Sequence, residues 1–197
     1  MATKQASTTT KPATTTKAVK KYQPDVLSLM APMGLIIAAA LIAPHVIPPQ
    51  TPASTKPFGS FEEFFPFYMS QHVDTTCRRL HIIGTSIVII YALFEPFTLP
   101  SLILGGFVGS VIFPATRGME SGLLEGFLVI FTFLYFMRRF TGDWKRGLVV
   151  PIVAYSFAWF GHFFFEHNRP ATFIYPLFSL MGDFRMCFET YAMQRKF

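Results

Sequence analysis

Long apolar segments are the feature that most limits how this chain can fold. Five stretches are apolar and nearly free of charged residues: 26–43, 80–94, 99–113, 122–137 and 147–165. Charged residues make up 14% of the 197 residues, whereas a soluble domain carries about 25%. This pattern predicts an all-α fold, a polytopic membrane helical bundle with four to five hydrophobic helices.

The lengths of these stretches decide how many of them can cross a membrane. Segment 26–43 has 18 residues, the lower limit for a crossing. Fifteen residues, as in 80–94, give a helix of about 22 Å against a hydrocarbon core of about 30 Å. Either flanking aromatic residues extend the short segments, or some are half-helices inside the bundle. A short interfacial helix is also predicted, because four aromatic residues have helical spacing: Phe61, Phe64, Phe65 and Tyr68.

Changes in composition divide the chain into four parts. Residues 1–25 form a basic Thr/Lys-rich tail, 26–47 an N-terminal hydrophobic helix, 48–57 a Pro-rich linker and 58–197 a helical domain. The first 21 residues hold seven threonines, five lysines and no acidic residue. Such a segment lacks the apolar surface needed to offset the entropy lost on folding. An acid-free, hydroxyl-rich composition is also found in organelle transit peptides, although arginine is absent here.

The net charge of +6 does not indicate a nucleic-acid partner. The basic residues lie in the tail and between apolar stretches, where they are typical of contacts with lipid headgroups and of topology signals. Membrane lipid is therefore the expected partner. Cys77 and Cys187 are the only cysteines, which excludes a disulfide framework and a CxxC metal pair.

Four histidines lie near the ends of two apolar stretches. His72 and His81 precede or open segment 80–94, and His162 and His167 close or follow segment 147–165. Four segments separate His81 from His162, and an even number of crossings returns the chain to the face it left. His72 and His81 are nine residues apart and would face opposite ways on one helix, about 900° apart. Asp74 is a good N-cap residue, so we expect a helix break between them.

Three imidazoles at one membrane face indicate a metal site. With a carboxylate such as Glu166 or Asp183, they suit non-haem iron(II) with open coordination positions. Zinc accepts similar ligands and is the alternative metal. The competing interpretation is that each histidine is simply hydrogen-bonded at the interface.

Four arginines belong to the same face by the same reasoning: Arg78, Arg79, Arg169 and Arg185. The planar guanidinium group suits recognition of a carboxylate. The alternative is contact with lipid headgroups or pairing with nearby acidic residues.

Two blocks of sequence resemble a known family. The first comprises FEEFFPFY at 61–68, QH at 71–72 and RRLHIIGT at 78–85. The second comprises AWFGHFFFE at 158–166, NRPATF at 168–173 and YPLFSLMGDFRM at 175–186. Over about residues 58–191 the chain resembles a small membrane family first catalogued as a domain of unknown function, whose fungal members are iron(II)-dependent 2-hydroxy fatty acid dioxygenases.

The resemblance implies a reaction and a set of residues for it. Such enzymes use O₂ to shorten a 2-hydroxy acyl chain by one carbon. The iron(II) ligands would be His72, His81 and His162, and Glu166 and Asn168 would be ligands or support them. Arg169 or Arg185 would hold the substrate carboxylate.

Three departures from the family pattern favour a second hypothesis. The stretch at about 95–146 looks expanded, the tail and residues 26–47 are additions, and His167 stands where a lysine is more usual. The additions suggest surfaces for partner proteins. The alternative function is therefore an accessory (supernumerary) subunit of a large membrane complex, such as a mitochondrial respiratory or ATP synthase complex, with the metal site retained or vestigial. A lipid-binding module with a structural zinc is a third reading. The membrane would be the mitochondrial inner membrane or the endoplasmic reticulum.

Overall fold

Helix is the regular secondary structure of this protein. A computed structural model describes residues 25–46, 48 and 50–192, and that part of the chain contains no strand. Its seven α-helices are α1 (Val26–Val46), α2 (Phe61–Ser70), α3 (Thr75–Phe94), α4 (Thr98–Thr116), α5 (Leu123–Thr141), α6 (Val149–Gly161) and α7 (Pro176–Tyr191). A 3₁₀ turn at Trp144–Leu148 precedes α6, and a π-helical turn at His162–Glu166 follows it. The prediction of an all-α fold is confirmed.

Among the described residues, three helical stretches are long and apolar enough to cross a membrane. They are Thr75–Phe94, Thr98–Thr116 and Trp144–Glu166, with 20, 19 and 23 residues. Each is longer than the apolar run from which it was predicted, because polar residues continue the helix at its ends. The described part of the chain is therefore compatible with a helical membrane bundle.

Helix α1 lies within the stretch 26–47 that was predicted as an N-terminal helix. It continues to Val46, past the apolar run that ends at residue 43, so the proline at position 44 lies inside its last turn. A proline removes only its own N–H from the helix, which a terminal turn tolerates better than a central one. The apolar core of α1, Met30–Ile42, is shorter than the three spanning stretches. The tail at 1–24 lies outside the described residues, and the four proposed parts of the chain stay predictions.

The four central helices run alternately in opposite directions. Near one end of the α4–α5 pair, the Phe97 and Phe140 rings stack with centroids 5.3 Å apart. At the other end, the Thr116 hydroxyl donates to Glu125 Oε1 over 2.5 Å. Because α3, α4, α5 and α6 alternate, α3 begins and α6 ends at the same end of the bundle. We call this the histidine end, and it is where the even number of segments predicted that His81 and His162 would meet.

Close packing of α3 against α6 depends on two glycines. A methyl group on Gly84 would lie 2.9 Å from Phe157 Cβ, and one on Gly161 would lie 2.9 Å from Cys77 Sγ. Neither glycine therefore has room for a side chain. Their small size lets the two helices that carry His81 and His162 approach each other.

A buried ion pair fastens the Pro-rich segment to the bundle. Lys56 Nζ lies 2.5 Å from Glu125 Oε1, and the two side chains are 0% and 3% exposed. The same ammonium donates to the Thr116 carbonyl over 3.2 Å. A buried lysine is tolerated only when it is paired, so this contact holds the end of the linker against α4 and α5. The linker prediction did not include this anchor.

Replacing Gly84 with alanine tests the packing of α3 against α6. We expect Gly84→Ala to destabilise the protein by about 1–3 kcal/mol, because the new methyl group crowds the Phe157 Cβ. Gly106→Ala is the matched control, since its methyl group would lie 3.6 Å from Leu177 Cδ1, an ordinary contact. Thermal unfolding in detergent measures both. Equal unfolding midpoints for the two variants would contradict the assigned packing.

Candidate metal centre

Three histidine rings meet at the histidine end of the bundle. His72 lies between α2 and α3, His81 lies in α3, and His162 begins the π-helical turn after α6. Ring centroids are 4.5 Å apart for His72 and His81, 4.7 Å for His72 and His162, and 5.1 Å for His81 and His162. All three residues are buried, with 1%, 5% and 2% of their surface exposed. The structure thus brings together the three histidines that the sequence selected.

The chain turns sharply between the first two histidines. Helix α2 ends at Ser70, and Asp74 caps α3 by accepting hydrogen bonds from the Thr76 and Cys77 N–H groups over 2.7 and 3.0 Å. These backbone hydrogen bonds lower the pKa of the Asp74 carboxyl. The expected helix break is therefore present, and it lets His72 face His81.

Each imidazole uses one nitrogen for a hydrogen bond within the protein. The Nδ1 atoms lie 2.6 Å from Tyr68 O for His72, from Asp183 Oδ1 for His81 and from Asn168 Oδ1 for His162. All three partners accept, so Nδ1 carries a proton, and in a neutral imidazole Nε2 is then the nitrogen with the lone pair. This arrangement is common for metal-bound histidines, whose outer partner fixes the tautomer and the ring orientation.

The remaining ring nitrogens fit a metal ion. The Nε2 atoms of His72 and His81 are buried and have no hydrogen-bond partner in the protein. Burial and the neighbouring His81 lower the pKa of His72 to about 3, which keeps its imidazole in the neutral form that binds metals. An unpaired buried polar atom is costly, and coordination of a metal would remove that cost here.

A fourth potential ligand, Cys77, was not predicted from the sequence. One ligand atom each from Cys77 and the three histidines lies within 4.8 Å of the others, and all four residues are buried. Cys77 precedes His81 by four residues, so both project from the same face of α3. This four-residue spacing was the feature of the sequence that could have indicated Cys77 as a ligand.

The donor set is compatible with two kinds of metal site. Three imidazoles with open positions suit non-haem iron(II), while three imidazoles and a thiolate would close a tetrahedral zinc site. Asp183, which the sequence offered as a carboxylate ligand, instead accepts hydrogen bonds from His81 Nδ1 and, over 2.5 Å, from the Tyr68 hydroxyl. Burial and Asp183 raise the pKa of Tyr68, so it stays a protonated donor.

The other predicted site residues lie around the cluster. Glu166 accepts a hydrogen bond from the Asp74 N–H over 2.6 Å, which joins the turn after α6 to the start of α3. Asn168 holds His162 and donates to the Gln71 carbonyl over 3.0 Å. Their catalytic roles stay predictions.

The two predicted substrate arginines differ in their surroundings. Arg185 pairs with Glu62 and Glu189 over 2.8 and 3.0 Å, and its guanidinium lies 4.1 Å from the Phe65 ring centroid. Arg169 is exposed, with its guanidinium 5.2 Å from the Phe173 ring centroid. Their roles in substrate binding also stay predictions.

The fold and the site define a helical bundle of membrane type with a buried histidine and cysteine cluster that could hold a metal ion. The model of one family, described as 2-hydroxy-palmitic acid dioxygenase Mpo1-like, matches residues 58–195. The chain belongs to this family, as its two sequence blocks indicated. At the family level, its function is that of a 2-hydroxy fatty acid dioxygenase-like protein. Comparison with curated proteins and with solved structures gave no match.

Loss of one histidine should abolish tight metal binding. We expect His72→Ala to weaken metal affinity by more than about 100-fold, beyond the 10–100-fold effect of losing an outer partner. His167→Asn is the control, because His167 is exposed and asparagine tolerates its positive φ of 53°. Metal content after dialysis against a graded chelator measures both variants. Equal retention of metal would exclude His72 as a ligand.

Removing the charge of Asp183 should weaken the site less severely. Asp183→Asn keeps an oxygen for His81 and Tyr68 but loses the carboxylate that makes His81 a stronger ligand. We expect metal affinity to fall about 10-fold, the lower end of the effect of outer partners. Glu189→Gln is the control on the same helix, because Glu189 pairs with Arg185 away from the cluster. An unchanged affinity in Asp183→Asn would show that Asp183 does not act through His81.

Proposed function

We propose that this protein is an iron(II)-dependent dioxygenase that uses O₂ to shorten a 2-hydroxy fatty acid by one carbon. The observation that carries the proposal is the set of three buried imidazoles, each held at Nδ1 and with ligand atoms within 4.8 Å of one another. Membership of the 2-hydroxy-palmitic acid dioxygenase Mpo1-like family supports the substrate class.

His72, His81 and His162 would hold the iron. When bound, iron(II) would supply activation of O₂ at the coordination positions that three protein ligands leave open. Cys77 would line the site without binding the metal. In the overall reaction, one 2-hydroxy acid and one O₂ would give the acid that is one carbon shorter, one CO₂ and one water.

The surrounding residues would orient the ligands and exclude water. Tyr68 and Asp183 form a chain of hydrogen bonds that ends at His81 Nδ1. Asn168 holds His162 and ties it to the connection between α2 and α3. Glu166 fixes the start of α3 through Asp74, so we assign Glu166 and Asn168 positioning roles.

Arg169 is the better candidate to bind the substrate carboxylate. Arg185 is already engaged by two carboxylates. Arg169 has no such partner among the described ion pairs and lines a pocket with Gln71 and Tyr175. The Gln71 carbonyl accepts from Asn168, so this pocket borders the group that orients His162.

The alternative of an accessory subunit has less to support it. The family match extends over 58–195 and carries no indication of a larger complex. The tail that suggested partner proteins lies outside the described residues. The endoplasmic reticulum and the mitochondrial inner membrane both remain proposed locations for a chain whose described part has three apolar helices of spanning length.

Turnover of 2-hydroxypalmitic acid tests the proposal. The purified full chain, loaded with iron(II) in detergent, should release the acid one carbon shorter in the presence of O₂, as measured by mass spectrometry. His81→Ala should lower the rate at least about 100-fold, because loss of a ligand exceeds loss of an outer partner. Protein loaded with zinc should be inactive.

The choice of metal has its own decisive result. The protein can be prepared with cobalt(II) in place of zinc. A thiolate-to-cobalt charge-transfer band that is lost in Cys77→Ser would assign a closed structural site. Together with an absence of shortened acid, this would exclude the dioxygenase.

A further inference from the structure

An apolar cavity lies among α4, α5, α6 and α7, beside the histidine cluster. Its volume is about 70 Å³, measured as the space open to the centre of a water-sized molecule. None of the four candidate metal ligands lines it.

Two walls of the cavity lead to the metal cluster. On α6, Pro151, Ala154 and Ala158 line the cavity at spacings of three and four residues, and four residues later the same face reaches His162. On α7, the wall ends at Asp183, whose Oδ1 accepts from His81 Nδ1. The cavity and the cluster therefore share a boundary.

The polarity of the cavity changes along its length. At the histidine end its lining includes Thr172 and Asp183. Toward the opposite end it is lined by Leu102, Phe133 and Val150, and the last two are 2% and 5% exposed. A ligand with a polar head and a long apolar tail fits this gradient in one orientation only, because a carboxylate at the apolar end would be buried without a partner.

The length of the cavity suits a long alkyl chain. On α6 the lining extends from Val150 to Ala158, a rise of roughly 12 Å along the helix, and His162 lies roughly 6 Å further along. A short acid held at the histidine end would leave the opposite end empty and gain little from burial of apolar surface.

We propose that this cavity binds the alkyl chain of the 2-hydroxy acid, and that its floor at Phe133 and Val150 sets the preferred chain length. This proposal rests on the proposed function, and it adds where the alkyl chain lies and what limits its length. Ala154 lies between the polar end and the floor, so it limits the width of the channel that the chain must pass.

Photo-crosslinking locates the alkyl chain without requiring turnover. The probe is 2-hydroxypalmitic acid with a diazirine on its last carbons, added to the full chain with and without iron(II). We expect adducts on Leu102, Phe133 or Val150, and unlabelled 2-hydroxypalmitic acid should prevent them. Adducts confined to outward-facing residues such as Ile152, which is 60% exposed, would overturn the proposal. So would cavity adducts that phospholipid prevents and the 2-hydroxy acid does not, because the occupant would then be a bilayer lipid.

Filling the cavity should change selectivity for chain length. We expect Ala154→Phe to reduce labelling by the 2-hydroxypalmitic probe by roughly tenfold or more, as a mismatch of one methylene already costs 10–200-fold in a fitted pocket. Labelling by a 2-hydroxyoctanoic probe should persist. Ile152→Phe is the matched control on the outer face of the same helix and should leave both unchanged. Equal loss of both probes in a folded, metal-binding Ala154→Phe protein would contradict a floor-limited channel.

A second variant protects the test against misfolding. Phe133→Leu lowers the floor, and we expect it to shift the preferred probe toward a longer chain, whereas an unchanged preference would count against the floor.

Failure of the two proposals is distinguishable. Selective cavity adducts without any shortened acid would retain the binding site and remove the dioxygenase. Shortened acid with adducts only outside the cavity would do the reverse.

Discussion

The Asp183 carboxylate is the group on which the rest of the site depends. It lies inside a helical bundle, accepts hydrogen bonds from Tyr68 and His81, and borders the apolar cavity. The side chain is 19% exposed, and a carboxylate so far removed from water is costly unless it is paired and hydrogen-bonded, so its two donors must stay in place. In meeting this requirement, the protein joins α2, α3 and α7 at one point and fixes the ring of one candidate ligand. The same interaction therefore contributes to folding and to the tautomer of His81.

Local pattern was sufficient to predict the helices and the meeting of His81 with His162, while the set of three histidines was what the resemblance to the family implied. Apolar stretches predicted α3 to α6, and Asp74 as a cap predicted the break that turns His72 toward His81. Counting segments predicted that His81 and His162 meet. These inferences use residues that are close in sequence, or the even number of segments between His81 and His162. None of them requires knowledge of side-chain packing.

Asp183 and Asn168 were named as candidates, but the contacts that they make could not be predicted, because most of the contacting residues are distant in sequence. Asp183 is 102 residues from His81 and 115 from Tyr68, and Lys56 is 69 from Glu125. Nothing in a single sequence distinguishes these acidic residues from those that pair at the surface. Cys77 was missed for another reason. A lone cysteine in an apolar helix resembles ordinary packing, and its four-residue spacing from His81 was a weak signal until the positions of the three rings gave its thiol a possible role.

The position of the metal cluster at one end of the bundle matters for an amphiphilic substrate. Near the cluster, Arg169 is exposed and Asn168 is half-buried, while the cavity that borders the cluster is lined mostly by apolar groups. On the proposed function, a 2-hydroxy acid reaches this boundary with its carboxylate toward the exposed arginine and its tail inside the bundle. The cost of burying an unpaired carboxylate excludes the reverse orientation, whereas burial of each methylene favours this one by about 0.8 kcal/mol. The hydroxyl-bearing carbon, next to the carboxylate, would then lie at the level of the three imidazoles, where the chain is to be cut.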